Sequence, residues 1–228
     1  ITLSATDTVS EGGTITYTAT LDNPADTAMT VTLSNGQVIN IVAGATSGTV
    51  DIVASDDAYA GGDTASATII STNGGNFENL VVDETPATTT INDDADTTNV
   101  TLSATDTVAE GGTITYTATL DNPAASAMTV TLSNGLVISI AAGAVSGTID
   151  ATASDDVYAG GDSASAAITS TDGGGFENLV ADTNAATTSI TDDGDVTNLT
   201  LTASDTVSEG GTITYTASLD NPAGTAMT

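Results

Sequence analysis

The chain of 228 residues contains no lysine, arginine, histidine or cysteine, against 30 aspartate and glutamate residues. No side chain can neutralise phosphate, so nucleic-acid binding is excluded. An anionic membrane surface would repel the net charge of −30. The missing residue types also exclude disulfides, thiolate metal sites, catalytic triads, Schiff bases and phosphate clamps. Only a carboxylate pair of the glycosidase type remains chemically possible, and we expect no enzyme.

Aromatic residues are scarce as well, with five tyrosines, two phenylalanines and no tryptophan. This scarcity predicts thin cores built from valine, isoleucine, leucine and alanine. High acidity is also typical of intrinsic disorder. However, hydrophobic residues make up 39% of the chain and recur at strand periodicity, which favours a folded chain. No apolar run has the length needed to span a membrane.

One stretch, residues 10–24, returns almost unchanged at 109–123 and again at 208–222. Its tyrosines, Tyr17, Tyr116 and Tyr215, are spaced 99 residues apart. A repeat of such constant length indicates tandem copies of one unit. The sequence therefore predicts a first repeat at 1–99, a second at 100–198 and a partial third at 199–228. Because the pattern is cut at both ends, we expect an excerpt from a longer protein.

Alternating apolar and polar residues predict short strands throughout each copy. Asn35-Gly36 lies between two such runs and predicts a tight hairpin. In the first copy the seven predicted strands are 1–6, 14–21, 29–33, 37–42, 49–54, 64–71 and 87–92. Seven short strands with Gly, Asn and Asp turns are typical of an immunoglobulin-like β-sandwich. The fold class is therefore predicted to be all-β, with tandem sandwiches, although a seven-stranded barrel would show a similar pattern.

If successive strands run up and down, the acidic loops of one copy gather at one end of its sandwich. In the first copy that end collects Glu11, Asp56, Asp57, Asp63, Asp93, Asp94 and Asp96. The corresponding acids of the second copy are Glu110, Asp155, Asp156, Asp162, Asp192, Asp193 and Asp195. Because residues 93–96 lead directly into the next repeat, this end is expected to meet Asp121, Asn122, Glu177 and Asp182 of the second copy.

Carboxylates gathered this closely raise one another's pKa unless a counter-ion is present. Hard oxygen ligands in flexible, glycine-flanked loops suit Ca²⁺, which takes six to eight oxygens, better than Mg²⁺ with its strict octahedron. Zinc is disfavoured without histidine or cysteine. The alternative is that surface acids only keep the chain soluble. That interpretation suits scattered residues such as Asp26 and Asp51, whereas the loop acids recur at fixed positions in both copies. The predicted metal ligands are the two end sets together with Asp121.

Two further sequence features lie at the junctions and in a loop. Asn99-Val100-Thr101 and Asn198-Leu199-Thr200 fit the N-glycosylation pattern, which is short and often coincidental. Tyr59 lies where an immunoglobulin-type sandwich would carry a tyrosine corner. The alternative is that Tyr59 is a partly buried anchor of its loop.

The stretch 10–24, with Met-Thr-Val-Thr-Leu-Ser-Asn-Gly and Ser-Asp-Asp-x-Tyr-Ala-Gly-Gly-Asp, resembles the extender repeats of giant type I-secreted RTX-type bacterial adhesins. The resemblance covers nearly the whole chain. It implies tandem immunoglobulin-like modules, Ca²⁺ at and between them, and a spacer that projects a distal binding domain. The RTX nonapeptide itself is absent, so this secretion route is implied rather than visible.

A looser resemblance links the chain to Calx-β modules, in which a glutamate after the first strand and two aspartate pairs bind Ca²⁺. Glu11, Asp56, Asp57, Asp93 and Asp94 match those positions. The further acidic pair expected after Asp57 is missing, and Asp63 is the only candidate nearby.

We therefore expect an extracellular spacer on the bacterial cell surface, with Ca²⁺ as its cofactor and neighbouring repeats of the same protein as its partners. No membrane insertion is expected of this segment. The alternative is a subunit of a self-assembling filament, in which the partial repeat completes the sandwich of an identical chain. A glycan-binding module lacks support, because exposed aromatic platforms are nearly absent.

Overall fold

The computed structural model describes the whole chain, Ile1–Thr228, and every regular element in it is a β-strand. The strands form small open sheets arranged as sandwiches rather than closed barrels. The all-β, immunoglobulin-like prediction is therefore confirmed. The chain contains no helix that is long and apolar enough to cross a membrane.

Nine strands form in the first copy, where seven were predicted. In chain order they are β1 (Thr2–Ala5), β2 (Thr8–Ser10), β3 (Thr14–Thr20), β4 (Met29–Leu33), β5 (Val38–Ile41), β6 (Ser47–Val53), β7 (Asp63–Ala67), β8 (Ile69–Gly74) and β9 (Ala87–Asn92). They pair as three sheets, β1-β3-β6, β2-β9-β7 and β5-β4-β8. The hairpin at Asn35-Gly36 joins β4 and β5 as predicted, and Gly36 has a φ of 85° that glycine adopts without strain.

The predicted strand 64–71 is in fact two strands, which belong to different sheets. β7 pairs with β9, whereas β8 pairs with β4. Between them Thr68 leaves the ladder: its N–H donates to Ser34 Oγ at 3.0 Å, and its carbonyl accepts from the Ser34 N–H at 2.9 Å. Ser34 therefore satisfies the backbone of Thr68 where the chain changes sheet.

Strand β2 was not predicted, because three residues are too short to show a clear alternation. It lies between the first two predicted strands and runs parallel to β9, with Val9 opposite Ile91. This pairing places the turn that follows β2 next to the end of β9. The two short strands therefore bring acidic residues from both loops to one place.

The core follows the predicted alternation along β3. Ile15, Tyr17 and Ala19 are fully buried, while the intervening threonines face outward or lie half-buried. Tyr17 lies opposite Val50 of β6. The repeat stretch thus contains β3, the central strand of the sheet β1-β3-β6.

The second and third copies contain the remaining strands. They are β10 (Thr97–Ala104), β11 (Thr107–Ala109), β12 (Thr113–Leu120), β13 (Met128–Leu132), β14 (Val137–Ile140), β15 (Ser146–Thr152), β16 (Asp162–Ala166), β17 (Ile168–Gly173), β18 (Asn178–Ala181), β19 (Ala186–Thr191), β20 (Leu199–Ala203) and β21 (Tyr215–Leu219). The third copy has only the two-stranded sheet β20-β21, whose residues are almost all exposed.

Two compact units are present. The first comprises Ile1–Thr98 together with Gly175–Val180, and the second comprises Asn99–Gly174 together with Ala181–Thr228. A short segment of the second copy, residues 175–180, therefore packs with the first unit. The repeat boundaries at 99 and 198 stay predictions of the sequence.

Candidate metal centre

The turn Glu11-Gly12-Gly13 after β2 is held by the backbone on both sides. The Glu11 N–H donates to the Asn92 carbonyl at 3.0 Å, and the Gly12 N–H donates to the Ser55 carbonyl at 3.2 Å. Gly12 has a φ of 65°, which glycine adopts without strain. These bonds fix Glu11 between the loop that starts at Ser55 and the loop that follows β9.

Two groups of carboxylates share Glu11 in the first unit. One consists of Glu11, Asp56 and Asp94, and the other of Glu11, Asp93 and Glu177. In each group one oxygen per residue lies within 4.8 Å of the others. Glu177 belongs to the segment 175–180, so this centre joins residues far apart in sequence.

Three buried carboxylate oxygens in the second group have no hydrogen-bond partner: Glu11 Oε2, Asp93 Oδ1 and Glu177 Oε1. The Glu11 side chain is only 7% exposed. The remaining oxygens of the other two residues are oriented by the backbone. Asp93 Oδ2 accepts from the Gly61 N–H at 2.7 Å, and Glu177 Oε2 accepts from the Asp96 N–H at 2.8 Å. In Asp93 and Glu177, one carboxylate oxygen is thus fixed by a backbone N–H, and the other is buried without a hydrogen-bond partner.

The electrostatics of the first unit disfavour full ionisation. Burial raises the pKa of Glu11 from 4.5 to about 7, and the neighbouring carboxylates of Glu177, Asp57 and Asp93 add to the rise. Burial, followed by the charge of Asp94, also raises the pKa of Asp96. A chain with no cationic side chain cannot relieve this repulsion.

These observations fit a hard divalent cation. Buried oxygen atoms without a partner are costly, and several carboxylates with raised pKa values are the environment that a bound cation stabilises. All the candidate ligands are oxygens on loops, the donor set that Ca²⁺ prefers. Glu11, Asp93 and Glu177 would hold such an ion, and Asp56 and Asp94 form the other group that includes Glu11.

The second unit has a matching group formed by Glu110, Asp155 and Asp193. Glu110 is 6% exposed, and its Oε2 also lacks a hydrogen-bond partner. Burial, and then the charge of Asp156, raises the pKa of Glu110, while a hydrogen bond from the Asp193 backbone opposes the rise. Burial also raises the pKa of Asp195, followed by the charge of Asp193. The group Glu11, Asp56 and Asp94 therefore recurs one repeat later, whereas the group with Asp93 and Glu177 has no counterpart in the second unit.

Other predicted ligands are engaged by backbone donors beside these groups. Asp57 Oδ1 accepts from the Tyr59 N–H at 2.8 Å, and Asp156 Oδ1 accepts from the Tyr158 N–H at 2.7 Å. Asp192 Oδ2 accepts from the Gly160 N–H at 2.9 Å. These bonds shape the loops around both centres.

Eight of the fifteen predicted ligands belong to none of the three groups. Asp57, Asp96, Asp156, Asp192 and Asp195 are described above, and the other three are Asp63, Asp162 and Asp121. Asp63 and Asp162 begin strands β7 and β16, and Asp162 accepts from the Ser163 N–H at 2.7 Å. Asp121 accepts hydrogen bonds from Asn99. The assignment of Asp63, Asp162 and Asp121 as metal ligands stays a prediction, because none of them belongs to a group of three carboxylates.

Glu177 was expected to face the acidic end of the first copy but was not among the predicted ligands. Its counterpart one repeat earlier, Glu78, is exposed and belongs to no carboxylate group. The sequence signal was therefore weak, since the same Phe-Glu-Asn triplet occurs in both environments. Asp182, expected to face the same end, accepts hydrogen bonds from Asn184, and its place opposite that end stays a prediction.

Comparison with known proteins gives one match that spans nearly the whole chain. A family model described as the LapA domain matches residues 1–94, 96–193 and 195–228. The comparison with curated proteins finds no match. The three matched stretches follow one another in tandem, in agreement with the internal repeats.

Proposed function

Since the chain belongs to the LapA domain family, whose members are adhesin-type repeats of the cell surface, we propose that it is a spacer stiffened by Ca²⁺. The family is structural rather than enzymatic. In this proposal the chain is an extender segment of a bacterial surface adhesin and holds a distal binding domain away from the cell. Export by the type I route of RTX proteins, and a role in biofilms, belong to the same proposal.

The observation that carries the proposal is the set of buried, unpartnered oxygens on Glu11, Asp93 and Glu177. Glu177 comes from a segment of the second copy that packs in the first unit. An ion held by these three residues would tie that segment to the loops after β2 and β9. Ca²⁺ would thereby replace repulsion between carboxylates by attraction to a shared charge.

The acidity of the chain gives the ion a mechanical role. Without a cation, 30 negative side chains repel one another. With Ca²⁺ bound, the carboxylates that repel most strongly become the ones that are cross-linked. Stiffness would then be set by the calcium concentration outside the cell. The absence of lysine and arginine also leaves trypsin-like proteases no cleavage site, which suits an extracellular spacer.

Small-angle X-ray scattering of the chain in Ca²⁺ and in EDTA tests this function. We expect the maximum dimension and the flexibility to change when calcium is removed. Glu177→Gln should shift the calcium-bound curve towards the EDTA curve, whereas the matched variant Glu78→Gln should leave it unchanged. Identical scattering with and without calcium would refute the spacer mechanism.

A second candidate function follows from the exposed apolar residues of the third copy. Leu201 and Tyr215 are 69% and 66% exposed, whereas Tyr17 and Tyr116 at the matching position are buried. The third copy could then complete a sandwich with an identical chain and build a filament. Sedimentation in Ca²⁺ separates the two proposals, because discrete monomers exclude the filament.

A further inference from the structure

Residues 175–177 are attached to the first unit by a small β-bridge. Tyr59 and Phe176 form an antiparallel bridge. The Ala60 N–H donates to the Gly175 carbonyl at 2.9 Å, and the Glu177 N–H donates to the Ala58 carbonyl at 3.2 Å. The two rings stack with centroids 5.8 Å apart and planes inclined by 29°. The segment is therefore fixed by backbone and side chain together.

The position of this bridge determines where the Glu177 carboxylate lies. Phe176 directly precedes Glu177, whose own N–H makes one of the two bridge bonds. On the other side, Asn178 Nδ2 donates to Thr97 Oγ1 at 2.9 Å. Glu177 is thus held between two anchors, and its carboxylate joins Glu11 and Asp93.

The first copy shows the same triplet without the bridge. Phe77 lies over Gly75 and close to Met29, since a Cβ built on Gly75 would be 2.8 Å from the Phe77 ring and 3.1 Å from the Met29 sulfur. Glu78, which follows it, is exposed. Glu177, in the bridged triplet, is half-buried, whereas Glu78, in the triplet without the bridge, is exposed.

We propose that Tyr59 and Phe176 are positioning residues for the cation centre of the first unit. This inference rests on the proposed function, because it assumes that Glu11, Asp93 and Glu177 bind Ca²⁺. Like charges drive the Glu177 carboxylate away from Glu11 and Asp93. The bridge holds Glu177 against this repulsion before the ion arrives. Less of the binding free energy is then used to order the segment.

Calcium titration calorimetry on the full chain tests the assignment. The measurements use a Glu110→Gln background, so that the centre of the second unit does not obscure the first. Phe176→Ala and Tyr59→Ala are expected to weaken calcium binding roughly tenfold, the lower range for residues that orient metal ligands. Phe77→Ala is the matched control and should leave the affinity unchanged. Phe176→Tyr keeps the stacked ring and should bind calcium with the affinity of the parent chain.

A double-mutant cycle separates positioning from a general loss of structure. In Glu177→Gln, the group Glu11, Asp56 and Asp94 remains to bind the ion. If Phe176 acts through Glu177, adding Phe176→Ala to Glu177→Gln should cause little further loss of affinity. An equal loss in both backgrounds, or an affinity within about twofold of the parent in Phe176→Ala, overturns the positioning role while leaving calcium binding intact. A chain that binds no calcium at all overturns the proposed function as well.

Discussion

Asn99 and Asp121 are joined by two hydrogen bonds, since the backbone N–H of Asn99 at 3.2 Å and its Nδ2 at 2.7 Å both donate to Asp121 Oδ2. A similar contact joins Asn198 to Asp220, where the backbone N–H donates to Oδ1 at 2.8 Å and Nδ2 donates to Oδ2 at 2.7 Å. The side-chain bond from Asn198, followed by the backbone bond, lowers the pKa of Asp220. The carboxylate thus clamps the start of one strand to the end of its neighbour.

This clamp predicts a structural role for Asp121. Asp121→Ala removes the acceptor for two donors and is expected to lower the melting temperature by roughly 5 °C, the effect of losing about 1 kcal/mol in a small domain. Calcium stoichiometry should not change. Asp22→Ala is the matched control, because Asp22 at the same repeat position makes no side-chain hydrogen bond. Loss of a calcium ion in Asp121→Ala would instead support the ligand role predicted from sequence.

The three repeat tyrosines predict a graded loss of stability. Tyr17 and Tyr116 are buried, with 0% and 2% exposure, whereas Tyr215 is 66% exposed. Tyr17→Ala and Tyr116→Ala should each lower the free energy of unfolding by about 3–5 kcal/mol, as for other large aromatic side chains in a core. Tyr215→Ala should cost less than about 1 kcal/mol. Urea titration measures the three values, and a large loss in Tyr215→Ala would mean that the third copy is buried in solution.

The tyrosines also show the limit of prediction from sequence. All three share one local sequence, but later strands of the same copy bury Tyr17 and Tyr116, whereas the partial third copy has only β20 and β21 around Tyr215. The alternation of apolar and polar residues and the turn residues were sufficient to predict the sandwich and strand β3. They were insufficient to predict β2, because this strand is defined only by its pairing with β9. They also did not predict that the chain changes sheet at Thr68.

The candidate site, too, could be predicted from the sequence only in part. Glu11, Asp56, Asp93 and Asp94 could be placed together because strands that alternate in direction bring every second loop to the same end. Glu177 could not be assigned as a member, because its place depends on a bridge between Tyr59 and Phe176. Local sequence does not distinguish Glu177 from Glu78.

Asn76 gives a prediction about backbone conformation. It is the only residue other than glycine with a positive φ, at 56°, and its Nδ2 donates to Asp26 Oδ2 at 2.8 Å. The second copy has Gly175 and Ala125 at these positions. Asn76→Ala should cost about 1–2 kcal/mol, because alanine is strained in the left-handed region. Asn76→Gly should remain within about 0.5 kcal/mol of the parent.

Urea unfolding of the two Asn76 variants shows whether the backbone conformation or the hydrogen bond to Asp26 accounts for the stabilising effect of Asn76. Asp26→Ala removes only the partner of Asn76 and serves as the control, with an expected change within about 0.5 kcal/mol for an exposed contact. If Asp26→Ala is as destabilising as Asn76→Ala, the hydrogen bond rather than the backbone explains the choice of asparagine.

Glu11→Gln is expected to change stability in opposite directions with and without calcium. In EDTA the variant should melt at a higher temperature than the parent, because a neutral amide relieves repulsion from Glu177, Asp57 and Asp93. In saturating Ca²⁺ it should melt at a lower temperature, because binding to the folded state is weakened. Calorimetric melting in both buffers measures this reversal. Asp26→Asn is the control, and a change of the same sign in both buffers would contradict a role for Glu11 in cation binding.

The raised pKa of Glu11 predicts how stability depends on pH when calcium is absent. Its folded value is about 7 against an ordinary value of 4.5, so between these values the folded chain holds a proton that the unfolded chain has released. Stability in EDTA should therefore increase as the pH falls from about 8 to about 5.5. Asp83 and Asp220 have lowered pKa values, so they make the folded chain less stable as the pH falls, but only at more acidic pH. Melting temperatures across this range measure the slope.

Calcium should reverse this pH dependence, because the ion and the proton compete for the same carboxylate oxygens. The gain in melting temperature on adding Ca²⁺ is therefore expected to be largest near pH 8 and to shrink as the pH falls through about 7. Glu11→Gln combined with Glu110→Gln removes the two buried carboxyl groups and should flatten both curves. A chain whose stability in EDTA rises with pH between about 5.5 and 8 would show that these carboxylates are not under the repulsion that the structure indicates.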